Sequence, residues 1–266
     1  MSGPPPPIPP RPTEPPALPA RPPAPAALPN RPPSFPPVVQ GKLIADGLAP
    51  KSGVLGKGIK WQASGIVEQG SNLPGQSVAI GDPLTLHMGP ESTCTDQKGR
   101  QRTEILSWPP SEPGETYLYE WRYHLSPALP TSYKFFHLTQ LFSRDQGGFI
   151  LSLGLVKPGI VKISSTIPDS QDRLCHDSDG IVTDNVMQVD AARYWGRTTC
   201  HSMLVTWGPE GAINYTVRDS ESHEILLRYS VREVNVAAKG SIKFGLYRAH
   251  VCSPASAVIG DISFKK

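Results

Sequence analysis

Eighteen of the 31 prolines in this 266-residue chain fall within its first 37 residues. Proline fixes φ and removes a backbone N–H, so this stretch supports neither a helix nor a sheet ladder. Its default is polyproline II, at about 3.1 Å per residue. A ten-residue repeat runs through it: Ile8-Pro9-Pro10-Arg11-Pro12, Leu18-Pro19-Ala20-Arg21-Pro22 and Leu28-Pro29-Asn30-Arg31-Pro32. In two copies, Pro6-Pro9-Arg11 and Pro16-Pro19-Arg21, two prolines share a face of the three-fold helix and an arginine follows. SH3-type grooves read such a spacing. Residues 6–37 therefore carry two readings, a ligand for an SH3-type domain and a stiff, solvated spacer.

From about Gly41 onward the composition is that of a folded protein, so the expected organisation is a tail of residues 1–40 and one domain of residues 41–266. Arg11, Arg21 and Arg31 against Glu14 give the tail +2 of the net +3, which leaves the body close to neutral. The body has no basic stripe of the kind that nucleic acid or a membrane surface would require. No window reaches the roughly 18 apolar residues of a bilayer span. Met1–Pro10 has neither a basic start nor a proline-free apolar stretch, so no signal peptide is expected. Cys94, Cys175, Cys200 and Cys252 allow two disulfides in three connectivities. The Cys175–Cys200 pair is the first expectation, and four buried thiols are the alternative in a reducing compartment.

The body alternates short β-rich runs with Gly, Pro, Asn and Asp punctuation. Thr116–Leu125 sets Tyr117, Tyr119, Trp121, Tyr123 and Leu125 on one face and Glu120, Arg122 and His124 on the other. That is the alternation of a half-buried strand. Ten further runs read the same way, at 84–88, 102–108, 134–142, 149–155, 160–165, 202–207, 213–218, 224–229, 241–248 and 258–264. One helix is expected at most, over 185–194. With no strand–helix–strand rhythm, the expected fold is all-β, a two-sheet antiparallel sandwich.

Three of these runs hold polar residues that a core pattern does not need. Arg100, Arg102 and Glu104 share one strand face, where a guanidinium beside a carboxylate fixes its orientation. Gln140 lies among large hydrophobes, and His137 sits on the opposite parity, so the two line one face only if a bulge intervenes. Lys243, Gly245 and Tyr247 alternate with Ile242, Phe244 and Leu246, and the glycine leaves room for a sugar ring to approach the backbone. The bland readings are a surface ion pair, a satisfied structural glutamine and a packed histidine.

Arg-Thr-Glu on one strand, a glutamine inside an aromatic strand, and Lys-x-Gly-x-Tyr-Arg near the C-terminus occur in that order, followed by Gly260-Asp261-Ile262-Ser263-Phe264. Over about residues 80–266 this resembles the β-jelly-roll, concanavalin-like polysaccharide lyases, most closely the fungal glucuronan lyases and more distantly the alginate lyases. The resemblance implies β-elimination of a uronic-acid polymer. Neutralising the sugar carboxylate stabilises the enolate-like anion formed when the C5 proton leaves. By resemblance, Gln140 and Arg102 neutralise that carboxylate, and Tyr247 is base toward C5 and acid toward the leaving oxygen. Lys243 and Arg248 hold neighbouring anionic sugars, Glu104, Arg100 and His137 are further substrate-binding candidates, and Lys243 is the expected cationic neighbour of the phenol.

The resemblance has one departure. These lyases usually place a histidine beside the glutamine or near the Arg-x-Glu strand, but here the position two after Gln140 is Phe142. His137, His124 and His87 are the candidates to replace it, and a catalytically silent carbohydrate-binding sandwich is the alternative. No cofactor is expected. Some members carry a structural calcium ion, and Asp177-Ser178-Asp179-Gly180 is the nearest candidate, though it reads better as an Asx turn. The expected state is a monomer, and the resemblance implies secretion although the chain begins without a signal.

Overall fold

The computed structural model describes residues 41–89, 99–127, 134–157, 159–168, 175–176, 182–183, 185–251 and 253–266. The tail, Cys94, Cys252 and Asp177–Gly180 lie outside the described residues. The chain divides into Met1–Phe35 and Pro36–Lys266, and every described residue belongs to the second.

The strands in chain order are β1 (Lys42–Asp46), β2 (Lys51–Gly56), β3 (Ile59–Ala63), β4 (Ile66–Gln69), β5 (Leu84–Met88), β6 (Arg100–Ser107), β7 (Thr116–Leu125), β8 (Phe136–Ser143) and β9 (Phe149–Lys157). They continue with β10 (Ile160–Ser165), β11 (Cys175–His176), β12 (Val182–Thr183), β13 (Gln188–Asp190), β14 (Thr198–Thr206), β15 (Gly211–Asp219), β16 (Ile225–Val234), β17 (Gly240–Ala249) and β18 (Ala255–Lys265). One eight-stranded sheet runs β1-β4-β5-β18-β7-β14-β15-β16, and the other β13-β10-β9-β8-β17-β6-β3-β2. Their ladders are antiparallel, β14 against β7 and β17 against β6 among them. Strands β11 and β12 form a separate short ribbon.

This is the expected sandwich, and β7 occupies the span that the alternation marks. Its aromatic face packs inward. The Trp121 ring stacks on Phe244 of the other sheet at 5.0 Å and on His201 at 4.7 Å. His201 is itself fully bonded, with Nδ1 at 2.8 Å from the Tyr215 hydroxyl and Nε2 at 2.9 Å from that of Thr199. Burial holds this imidazole down at about 3. The Tyr123 hydroxyl donates to the Gly245 carbonyl at 2.9 Å, a polar bond running between the sheets through the core.

Four expectations change. No helix forms over 185–194: Val186 bridges to Arg228, β13 pairs with β10, and one 3₁₀ turn, Ala191–Arg193, follows under an Asp190 cap. The segment 42–69, where the alternation marks no strand, supplies β1 to β4 of the domain expected over 41–266. Cys200 carries a free thiol, not a disulfide to Cys175. It sits mid-strand between Arg122 and Arg218 with Sγ 3.1 Å from the Ser220 hydroxyl. Finally, Gly245 makes room for protein rather than for sugar. A Cβ there would lie 2.4 Å from the Thr103 carbonyl oxygen and 3.1 Å from Leu86 Cδ1.

Among the described residues no helix is long and apolar enough to cross a membrane.

Candidate active site

The central strand of the second sheet, β17, lies between β8 and β6. Residues directly opposite one another in an antiparallel pair share a face. Lys243 is opposite Gln140, Tyr247 is opposite both His137 and Arg102, and Glu104 is opposite Gln62 on β3. The core residues Phe244, Leu141 and Ile105 occupy the other face. One polar sheet face therefore gathers Gln62, Arg102, Glu104, His137, Gln140, Lys243 and Tyr247 from four adjacent strands, with Glu104, Gln140, Lys243 and Tyr247 buried.

Two register shifts build this surface. One falls between His137 and Thr139 against β9, the other between Phe244 and Tyr247 against β8. An extra residue flips the parity of the strand beyond it. As a result Leu138 and Thr139 are both buried, and His137 emerges on the same face as Gln140. Gly245 occupies the β17 irregularity with φ +146°, a region that glycine tolerates and side chains rarely enter.

Tyr247 is surrounded on this face. Arg100 Nη1 donates to its hydroxyl at 3.0 Å, and the Arg102 guanidinium lies 4.6 Å from its ring centre. His137 stacks at 5.8 Å and Phe135 tilts against it at 5.0 Å. The cation bonded to the phenol oxygen is thus Arg100 rather than Lys243. Burial holds the His137 imidazole at about 4, so this neighbour is uncharged near neutral pH.

A second group surrounds Glu104. Arg102 Nε is 3.0 Å from Glu104 Oε2, and Arg102 Nη1 donates to Gln62 Oε1 at 3.2 Å. Burial pushes the Glu104 carboxyl up, while Lys243, Arg102 and Arg144 pull against that shift. Lys243 is 3% exposed, with its ammonium 3.5 Å from the centre of the Phe142 ring. Burial lowers it to about 8, partly offset by Glu104.

Arg248 is not brought to this face. It follows Tyr247 along the strand, is wholly buried at 0% exposure, and lies over Phe136. Its Nε donates to Gln101 Oε1 at 3.0 Å and its Nη2 to the Ser253 carbonyl. Strand alternation turns it away from the polar face that carries Tyr247. Of the other histidines, His124 bonds Thr198 and His87 bonds Ser256, both within the opposite sheet. His137 alone of the three candidates reaches the phenol.

The motifs in the sequence do not point to Gln62, to Arg144 or to the contact made by Phe135. Phe135 and Arg144 flank β8, and Gln62 belongs to β3, which no alternation marks. Beside His137 a cavity lined by Phe135, Phe149, Ser152, Gly154 and Ser164 continues the surface across β8, β9 and β10. Among the described residues no three His, Cys, Asp or Glu side chains gather as a metal site.

Two facing eight-stranded antiparallel sheets, with β17 at the centre of one, define a jelly-roll sandwich of the architecture used by polysaccharide lyases. A particular likeness is to the endo-β-1,4-glucuronan lyase of the fungus Trichoderma reesei, 12% identical over 82% of this chain and 94% of that one, with a TM-score of 0.51. The family 7 alginate lyase A1-II′, solved with a bound product, aligns over 74% of this chain and 85% of its own at 14% identity and a TM-score of 0.49. The exolytic alginate lyase AlyA5 of Zobellia galactanivorans aligns over 76% and 87% at 10% identity and a TM-score of 0.47. No protein-family model and no curated protein sequence matches the chain. At these identities the likeness is one of fold.

Proposed function

We propose that the protein is a polysaccharide lyase that cleaves a uronic-acid polymer by β-elimination. The observation that carries this reading is the Tyr247 phenol, bonded by Arg100 and faced by Arg102 and uncharged His137, on the same sheet face as Gln140. Abstracting the C5 proton of a uronate leaves charge on its carboxylate. Arg102 and the Gln140 amide are the donors available to stabilise it. Tyr247 as phenolate takes the C5 proton, the C4–O bond breaks, and the same phenol returns the proton to the departing oxygen. The products are a new reducing end and a sugar with a C4–C5 double bond. The Arg100 N–H stabilises negative charge on the phenol oxygen during the first half of this exchange.

The test is incubation with polyglucuronate and with alginate while following the ultraviolet absorbance of the unsaturated ends. Absorbance that Tyr247→Phe removes supports the reading. Polymer bound with no absorbance on either substrate sinks it.

That result would favour a second reading, a catalytically silent carbohydrate-binding sandwich. Its support is Phe142, two residues beyond Gln140, which has no ionisable proton to transfer and instead lies under the Lys243 ammonium.

A further inference from the structure

Arg144 stands one residue past the end of β8, and its position is fixed from two sides. Its backbone N–H donates to the Lys239 carbonyl at 2.8 Å, and its Nε donates to the Ser241 hydroxyl at 3.2 Å. Ser241 is opposite Phe142 just as Lys243 is opposite Gln140, so these residues share the polar face. The Arg144 guanidinium carbon lies 5.5 Å from the Phe142 ring centre, and the Lys243 ammonium lies 3.5 Å from that centre. Two cations thus share one aromatic ring.

This arrangement leaves donors unused. Arg144 Nη2 is buried and has no hydrogen-bond partner. A guanidinium offers five N–H donors in a planar fork, and buried donors are seldom left empty. Among the described residues, the carboxylate set against Arg102, Lys243 and Arg144 is that of Glu104, already 3.0 Å from Arg102. The ring quadrupole offsets part of the repulsion between the two cations, and a bound anion would offset more.

We propose that Arg144, Phe142 and Lys243 form a second anion subsite beside Gln140. It takes the carboxylate or sulfate of a sugar next to the one whose bond breaks, with the Arg144 fork as the principal donor. The inference rests on the polyanion-cleaving reading of this face and adds to it a residue and a position. Phe142 is then a platform for cations at the place where a histidine was expected.

The experiment uses the full chain carrying Tyr247→Phe, so that polymer is bound and not consumed. Affinity is measured over a range of salt for polyglucuronate, for a sulfated polymer of matched charge density, and for an uncharged glucan. Adding Arg144→Gln should weaken binding of at least one polyanion about tenfold and reduce the salt slope by roughly one charge, by the counterion argument. Arg144→Lys should recover part of the loss, and whichever polymer responds identifies the anion. Unchanged affinity and slope in Arg144→Gln, with the Tyr247→Phe chain still binding a polyanion, overturns the subsite and leaves the lyase reading standing. If the Tyr247→Phe chain binds neither of these polyanions nor alginate, run alongside them, the polyuronate reading fails and the subsite fails with it.

Discussion

Arg100 and Tyr247 lie 147 residues apart in sequence and meet through a 3.0 Å hydrogen bond from guanidinium to phenol oxygen. The bond joins β6 to the middle strand of the sheet, and it touches the atom on which the proposed chemistry turns. Arg100→Gln is therefore expected to lower kcat about tenfold or more with a smaller change in KM. Steady-state rates of unsaturated-end formation check this. A loss confined to KM would make Arg100 only a polymer contact.

Lys243 gives a pH dependence with two opposite signs. Its folded pKa of about 8 lies below the ordinary 10.5 because it is buried. Between those values the unfolded chain binds the extra proton, so this residue's contribution to stability grows with rising pH, by up to about 3 kcal/mol. Over the same range the ammonium proposed to attract polyanion is lost. Binding should weaken above about pH 8 while the fold gains. Lys243→Met should flatten both trends, as read by affinity and by denaturant midpoints.

On the acid side the histidines act together. His137 is held at about 4 and His201 at about 3, both by burial, against an ordinary 6.5. The unfolded chain takes up these protons first, so stability should fall as pH drops from about 6.5 toward 4, by on the order of 1–3 kcal/mol per group. His137→Phe keeps a ring against Tyr247 and should make that slope shallower. An unchanged slope in thermal melts would exclude His137 as a contributor.

Gly245→Ala should destabilise the fold by roughly 2–4 kcal/mol, because φ is +146° and the new methyl would lie 2.4 Å from the Thr103 carbonyl oxygen. Denaturant unfolding measures it. A shift of a few tenths of a kcal/mol would mean that the bulge relaxes easily.

Deleting residues 1–37 should leave lyase turnover and the unfolding midpoint of the body unchanged. If those residues are a recruiting segment, the same deletion removes binding to SH3-type domains, measured by titration with isolated domains. Loss of turnover would tie the tail to the proposed chemistry of the body.

The fold is legible wherever one side of a strand meets water and the other meets core. β5, β7 and β10 begin and end where the residue pattern places them; burial alternates with the pleat in β7 and β10, whereas β5 is a short run buried at every position. β2 is hard to see because Gly53 and Gly56 interrupt it and it lies at a sheet edge. The false helix over 185–194 comes from a local pattern that distant partners override, Arg228 holding Val186 in a bridge. In the site, the order of motifs identifies Arg102, Gln140 and Tyr247 as candidates. The alternation that sets Tyr247 outward also turns Arg248 inward, a constraint the motif alone does not express. Strict parity separates His137 from Gln140, and the register shift that reunites them is a backbone event with no residue of its own. Arg144 is unreadable for a related reason: Ser143-Arg144-Asp145-Gln146-Gly147-Gly148 looks like a turn, and its reach to Phe142 depends on where that turn folds back.

The Tyr123 hydroxyl and the Gly245 carbonyl tie the two layers together at the irregular point of the strand that presents Tyr247. Whatever tilts the far layer therefore also tilts the phenol. A lesion deep in the hydrocarbon, out of reach of any sugar, would spoil its aim before the chain lost its shape. Loss of turnover on heating should accordingly run ahead of unfolding.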